Sequence, residues 1–144
     1  MKKTFAFILS ILILFPVLSQ TDLIGKWKTV DDETGEIKSV VEIYERGGKY
    51  FGKIVKLLLK PSDDPDPVCT ACEGENFGKK ILGMEIITNL SYKESTDELV
   101  KGKILDPETG SVYDCKIWLE DGNLKLRGYL LFFYRTQTWL RYKD

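Results

Sequence analysis

Short runs of β-branched and aromatic residues, separated by turn signals, cover the chain from residue 24 to residue 143. Residues of these types favour strands, and their regular spacing is typical of an antiparallel barrel or sandwich. No stretch keeps the 3.6-residue period of an amphipathic helix. Eight strands are predicted, at 24–30, 37–45, 49–59, 84–92, 98–105, 111–120, 123–133 and 136–143.

Tight turns are predicted between most of these strands. The segments DDETG (31–35), RGG (46–48), DPETG (106–110) and DGN (121–123) are rich in glycine, aspartate and asparagine, which are the residues that hairpin turns require. Alternation supports the assignment, because Tyr113, Cys115, Ile117 and Leu119 share one face of a strand. The sequence therefore predicts an all-β fold, an antiparallel up-and-down β-barrel of about eight strands, whose closure removes exposed edges.

The N-terminal segment has the pattern of a secretory signal peptide. Two lysines precede an apolar run at 5–15 that is too short to span a bilayer, and small residues follow it up to Ser19,. We expect residues 1–19 to be cleaved, which leaves one β-barrel domain at 20–144. That domain is expected to be periplasmic or secreted, without stable membrane insertion.

The charge and the missing histidine exclude several functions. Lys2 and Lys3 are two of the 21 basic residues, so residues 20–144 carry 19 basic and 22 acidic side chains, a net charge of −3. A mildly acidic chain has no electrostatic attraction to nucleic acid. Without histidine, neither a Ser-His-Asp triad nor a histidine acid–base pair can form. We therefore expect no nucleic-acid partner, no cofactor and no enzyme, with thiol-based activity as a minor alternative.

Cys69 and Cys72 lie in the Pro- and Asp-rich connection between the third and fourth predicted strands. Three interpretations of the pair are open: a disulfide, part of a metal site, or a redox-active dithiol. A redox dithiol needs a helix N-terminus, and zinc usually needs four ligands, whereas the chain has three cysteines and no histidine,. Export favours the disulfide, and we predict no metal site. Cys115 is predicted to be a buried thiol, with a bridge to one of the other cysteines as the alternative.

Arginines alternate with aromatic residues in RGYLLFFYRTQTWLR, residues 127–141. We predict that Trp27 closes one end of the barrel through a cation–π contact with Arg141 or Arg127. Such a plug would leave the opposite mouth for a ligand. The candidate ligand-binding residues are Tyr113, Tyr129, Arg135 and Gln137. In the alternative interpretation these residues only pack and bond the hairpin.

Much of the chain resembles the bacterial family called domain of unknown function 2147. The resemblance is carried by GKWKTVDDETGEIKSVVEIYE (25–45), GKILDPETGSVYDCKIWLE (102–120) and LRGYLLFFYRTQTWLR (126–141). It implies an exported, lipocalin-like β-barrel with no established activity. At Tyr134 the chain departs from the family, in which many members carry glycine.

Two main functional hypotheses follow. An eight-stranded barrel has room for one small, mostly apolar ligand. The alternative is a structural or interaction protein of the cell envelope, with a filled barrel and no ligand. An open interior would favour the first hypothesis, and a packed interior would favour the second.

Overall fold

The computed structural model describes residues 20–144, and the predicted signal peptide at 1–19 lies outside the described residues. Eight strands form a closed antiparallel barrel in which each strand pairs with the next along the chain and the last returns to the first. The strands are β1 (Gly25–Val30), β2 (Ile37–Arg46), β3 (Lys49–Leu57), β4 (Glu85–Lys93), β5 (Glu98–Leu105), β6 (Val112–Glu120), β7 (Asn123–Leu130) and β8 (Phe133–Arg141). The predicted fold class is confirmed.

The two ends of the barrel are built differently. At one end, called here the closed end, short turns such as Gly47–Gly48 and Asp121–Gly122 join the strands at positive φ angles,. At the other end, the mouth, the side chains of Asp31 and Asp106 accept backbone N–H groups and order the β1–β2 and β5–β6 connections. The long β3–β4 connection, 58–84, also lies at the mouth. The helical segments of the described chain are single 3-10 turns, so none has the length needed to traverse a bilayer.

The last hairpin turns earlier than predicted. The sequence predicted one strand to residue 133 and the next from residue 136, whereas β7 ends at Leu130 and β8 begins at Phe133. A two-residue turn, Leu131–Phe132, joins them, and Leu131 has a φ of 54°. Glycine or asparagine usually occupies such positions, so this apolar run carries no turn signal that the sequence could reveal.

The closed half of the barrel is filled by apolar side chains. Burial of a large apolar side chain contributes about 1.5–3 kcal/mol, so this half supplies much of the stability. Leu23, in the 3-10 turn that precedes β1, covers this core at the closed end and is itself buried. The fully buried core residues include Trp27, Ile43, Leu90, Leu99, Ile117 and Leu124.

The β3–β4 connection is held by a disulfide between Cys69 and Cys72, whose Cα atoms lie 5.5 Å apart. Both cysteines are buried. Val68 pairs with Lys80 in an isolated bridge, and the N–H of Cys69 donates to the carbonyl of Lys79 at 2.8 Å. Of the three interpretations of this pair, the disulfide is the one present.

Candidate functional site

A cavity of about 1090 Å³ occupies the mouth half of the barrel. Its volume is ample for one small molecule, as expected for an eight-stranded barrel whose interior is not packed. The core therefore fills one half of the interior, and the cavity opens the other half towards the mouth. The apolar wall of the cavity includes Ile54, Ile86, Ile104, Leu126 and Trp139.

At the closed end, Trp27 contacts Arg141. The two residues are paired across the β1–β8 seam, and the Cζ atom of Arg141 lies 4.1 Å from the centroid of the Trp27 ring. The indole N–H of Trp27 donates to the carbonyl of Leu23 at 3.0 Å, and Arg141 Nη2 donates to the carbonyl of Asp22 at 2.7 Å. The stack and the Arg141 hydrogen bond join the start of the described chain to its last strand, and the Trp27 hydrogen bond fixes the 3-10 turn to β1.

Arg127, the other arginine predicted to meet Trp27, lies on the outer face of β7. Its guanidinium stacks on Tyr134 and Trp118, at 4.3 and 5.1 Å from the ring centroids, and donates to the hydroxyl of Thr136. The physical reason is alternation: Leu124 and Leu126 of the same strand are buried, so residue 127 faces outward,.

A row of polar side chains crosses the seam between β8 and the β1–β2 connection. Trp139 Nε1 donates to Gln137 Oε1 at 3.1 Å, and Gln137 Nε2 donates to Asp32 Oδ1 at 3.3 Å. Arg135 donates to Asp32, and its Nη2 donates to Glu33 Oε1 at 3.2 Å. The β1–β8 ladder pairs Trp27 with Arg141 and Lys28 with Leu140, so this row bridges the seam where it continues towards the mouth.

Asp32 is the acidic centre of this row, and the sequence did not single it out as a binding residue. Burial acts to raise the pKa of Asp32, but the hydrogen bonds and charge of Arg135, together with Gln137, outweigh it and hold that pKa below its usual value,. Asp32 therefore stays ionised at neutral pH. The sequence suggests only a turn-capping role for Asp32, because aspartate in a DDETG turn usually caps the turn. Its contacts with Arg135 and Gln137 of β8 distinguish it from an ordinary turn residue.

The four predicted ligand-binding residues all border the cavity, in two different ways. Arg135 and Gln137 lie on the inner face of β8 with Trp139, and Tyr113 shares the inner face of β6 with the buried Cys115,. Tyr129 follows the outward residue pattern of β7, and its ring lies 6.2 Å from that of Tyr134. Arg135, Gln137 and Tyr113 are therefore the better placed of the four, and ligand contact by any of them stays a prediction.

Charged residues form part of the rim of the mouth and are paired with one another. Lys38 lies 3.3 Å from Asp31 and 3.1 Å from Glu108, so it connects the β1–β2 and β5–β6 connections. Lys60 lies 3.1 Å from Glu36. Exposed pairs of this kind contribute little stability. They make the β1–β2, β3–β4 and β5–β6 sides of the rim polar, whereas the β7–β8 side is apolar.

Cys115 is the free thiol of the described chain, and it is buried on β6. Burial, with a smaller contribution from Asp114, raises the pKa of this thiol to about 12. The thiolate is the reactive form of cysteine, and at neutral pH almost none would be present. The side chain therefore serves as a small apolar core residue.

Taken together, the cavity has the parts of a binding site. The apolar wall can hold an apolar body, while Arg135 and Gln137 can offer hydrogen bonds to a polar end near the mouth,.

Comparison with known proteins gives one family and one related structure. A family model described as "Uncharacterized protein conserved in bacteria (DUF2147)" matches residues 25–141. The solved structure of protein HP1028 from the human pathogen Helicobacter pylori, described as belonging to the lipocalin family, is similar, with a TM-score of 0.71 and 19% identity. The match covers 85% of this chain and 84% of that chain, and shows the shared fold. The comparison with curated proteins gives no match.

Proposed function

The chain belongs to the bacterial DUF2147 family, and we propose that its barrel binds a small, mostly apolar molecule in the cavity behind the mouth. The observation that carries this proposal is the open cavity of about 1090 Å³ in a barrel whose other half is tightly filled. Protein interiors are normally close-packed, so a barrel that served only as a scaffold would gain stability by filling this space. The alternative of a filled barrel required a packed interior throughout.

The lining favours a ligand with an apolar body and one polar end. The body would lie against Ile86, Leu126 and Trp139, and the polar end would accept a hydrogen bond from Arg135 or exchange one with Gln137. Arg135 is already ion-paired with Asp32 and Glu33. A ligand whose polar end is neutral or zwitterionic therefore fits better than one whose polar end is an anion. We propose binding, and no catalysis by Cys115, because this thiol is buried and its pKa is raised to about 12.

Gly128 offers a way to block the cavity without straining the backbone. It lies on the inward face of β7, and a Cβ atom there would meet only the Cβ of Tyr113, at 3.9 Å. Gly128→Phe is expected to weaken the binding of the neutral fluorescent probe N-phenyl-1-naphthylamine by tenfold or more, which is about 1.4 kcal/mol, because the ring occupies the ligand's space. Fluorescence titration measures this affinity.

Gly128→Ala is the matched control, because it adds one methyl group in ordinary contact and should bind the probe as the wild type does. Native mass spectrometry of protein purified from its own cells should also find a co-purifying small molecule that the phenylalanine variant lacks. A folded Gly128→Phe variant that binds the probe at full affinity would contradict the proposed site.

We also propose that the protein is exported and acts in the periplasm or outside the cell. The basic and apolar pattern of residues 1–19 supports this proposal, and the Cys69–Cys72 disulfide agrees with an oxidising compartment,. N-terminal sequencing of the native protein should begin near Gln20. A native chain that still begins at Met1 would contradict cleavage.

A further inference from the structure

Four consecutive apolar side chains are exposed at the tip of the β7–β8 hairpin. Leu131 and Phe132 form the turn and are 89% and 96% exposed, and the paired residues behind them, Leu130 and Phe133, are 57% and 76% exposed. The turn also holds Leu131 at a φ of 54°, where a leucine is uncommon,. Leu130 and Phe133 also border the cavity, whereas Leu131 and Phe132 lie beyond it and contribute nothing to the core. An exposed apolar protrusion of this kind marks a surface that contacts something apolar.

The side chains behind the tip are arranged in layers. Next to the Leu130–Phe133 pair comes the pair of Tyr129 and Tyr134, and Arg135 follows beside Gly128. Arg127, one position further along β7, stacks on Tyr134. The same order is found across a lipid bilayer. Leucine and phenylalanine favour the hydrocarbon, tyrosine favours the interface, and arginine favours the level of the lipid phosphates.

We propose that this hairpin tip, residues 130–133, docks the mouth of the barrel onto the surface of a lipid bilayer. Leu131 and Phe132 enter the hydrocarbon boundary, the tyrosines lie at the interface, and Arg127 reaches the phosphate level. Two residues of a strand span about 7 Å, which matches the 5–10 Å depth typical of interfacial segments. Docking does not require an occupied cavity, so the inference goes beyond the proposed function.

A lipid surface fits the tip better than a second copy of the chain. The tip is convex, and its four side chains expose on the order of 600 Å² if each offers about 150 Å², below the roughly 800 Å² per partner of a stable interface. In a symmetric dimer through this end, the cluster of Asp32, Glu33 and Arg135 beside the tip, which carries one net negative charge, would lie near the same cluster of the other copy,. A bilayer of zwitterionic lipid has neither problem.

Vesicle flotation tests the proposal with the full chain expressed in cells. Mass spectrometry should first show that all the preparations compared begin at the same N-terminal residue. The double variant Leu131→Gly, Phe132→Ser should bind phosphatidylcholine vesicles roughly tenfold or more weakly than the wild type, because it removes the two most exposed apolar side chains. Its melting temperature should not fall, since glycine suits the positive φ at position 131. The control is Tyr92→Ser, which removes a 37% exposed aromatic ring at the closed end of β4 and should leave vesicle binding unchanged.

A local probe shows whether the tip itself enters the bilayer. Tryptophan placed by Phe132→Trp should be quenched by brominated phosphatidylcholine, whereas tryptophan placed at the closed end by Tyr92→Trp should not be. Equal flotation of the double variant and the wild type would overturn the proposal, as would the absence of wild-type binding or binding only to anionic vesicles that high salt abolishes. Loss of lipid-free self-association in the double variant, with vesicle binding unchanged, would assign the tip to a second copy instead. The Gly128→Phe variant should still bind vesicles. Failure of the cavity proposal can therefore be distinguished from failure of the docking proposal.

Discussion

Replacing Trp27 with alanine is expected to lower the free energy of unfolding by about 3–5 kcal/mol, as for the deletion of other buried aromatic side chains. The ring is completely buried at the closed end. Its loss would leave a cavity, remove the hydrogen bond to the Leu23 carbonyl, and release the guanidinium of Arg141 that lies 4.1 Å from the ring centroid. Arg141 also belongs to the short β1–β8 ladder, so the barrel loses support where its strands close. Urea unfolding measures the change.

Trp118 provides a matched control for this prediction. It too stacks against an arginine, Arg127 at 5.1 Å, but on the half-buried outer face. Trp118→Ala should cost about 1 kcal/mol, the order expected for an exposed cation–π contact. Trp27→Phe should fall between the two alanine variants, since it keeps most of the apolar volume and loses the indole N–H. If Trp27→Ala costs no more than Trp118→Ala, barrel closure does not depend on Trp27.

Local patterns predicted the barrel because each strand and most turns carry their own signal. The strand at 98–105 was predicted at its observed bounds, with turn residues on both sides of it. The β7–β8 hairpin was misplaced because its turn consists of leucine and phenylalanine, which favour strands. The exception coincides with the most exposed apolar side chains of the described chain. At this hairpin, apolar residues that favour strands occupy an exposed turn. Such a conflict between residue type and backbone conformation is expected where a segment serves a function.

The candidate site could be predicted only where strand geometry determines it. Trp27 opens the first strand and Arg141 ends the last, so antiparallel closure brings them to the same end. Alternation from Leu124 already implies that Tyr129 faces outward. The contact between Arg135 and Asp32 joins residues 103 positions apart through a loop conformation, and no local pattern encodes it. The cavity itself also depends on how the β3–β4 connection lies beside the mouth, which propensity does not determine.

Gly110→Ala is expected to destabilise the protein by about 2–5 kcal/mol, from a left-handed backbone cost of about 1–2 kcal/mol and an overpacking cost of about 1–3 kcal/mol. Gly110 lies near the end of the β5–β6 connection with a φ of 73°, and a Cβ atom there would lie 1.9 Å from the carbonyl oxygen of Ala71. Ala71 lies between the two disulfide cysteines. The turn and the disulfide loop are therefore in backbone contact, with no flexible side chain that could yield. Urea unfolding and the rate of disulfide reduction by dithiothreitol should both report the displaced loop.

Gly122→Ala separates the steric clash from the backbone cost. Gly122 has a φ of 76°, close to that of Gly110, but a Cβ atom there meets nothing within 4 Å. This control variant should lose only about 1–2 kcal/mol and should leave the reduction rate of the Cys69–Cys72 disulfide unchanged. The excess loss in Gly110→Ala then measures how firmly the disulfide loop is fixed against the barrel. Equal losses in the two variants would mean that the loop moves aside at little cost, and that the β3–β4 side of the mouth is held by contacts other than this one.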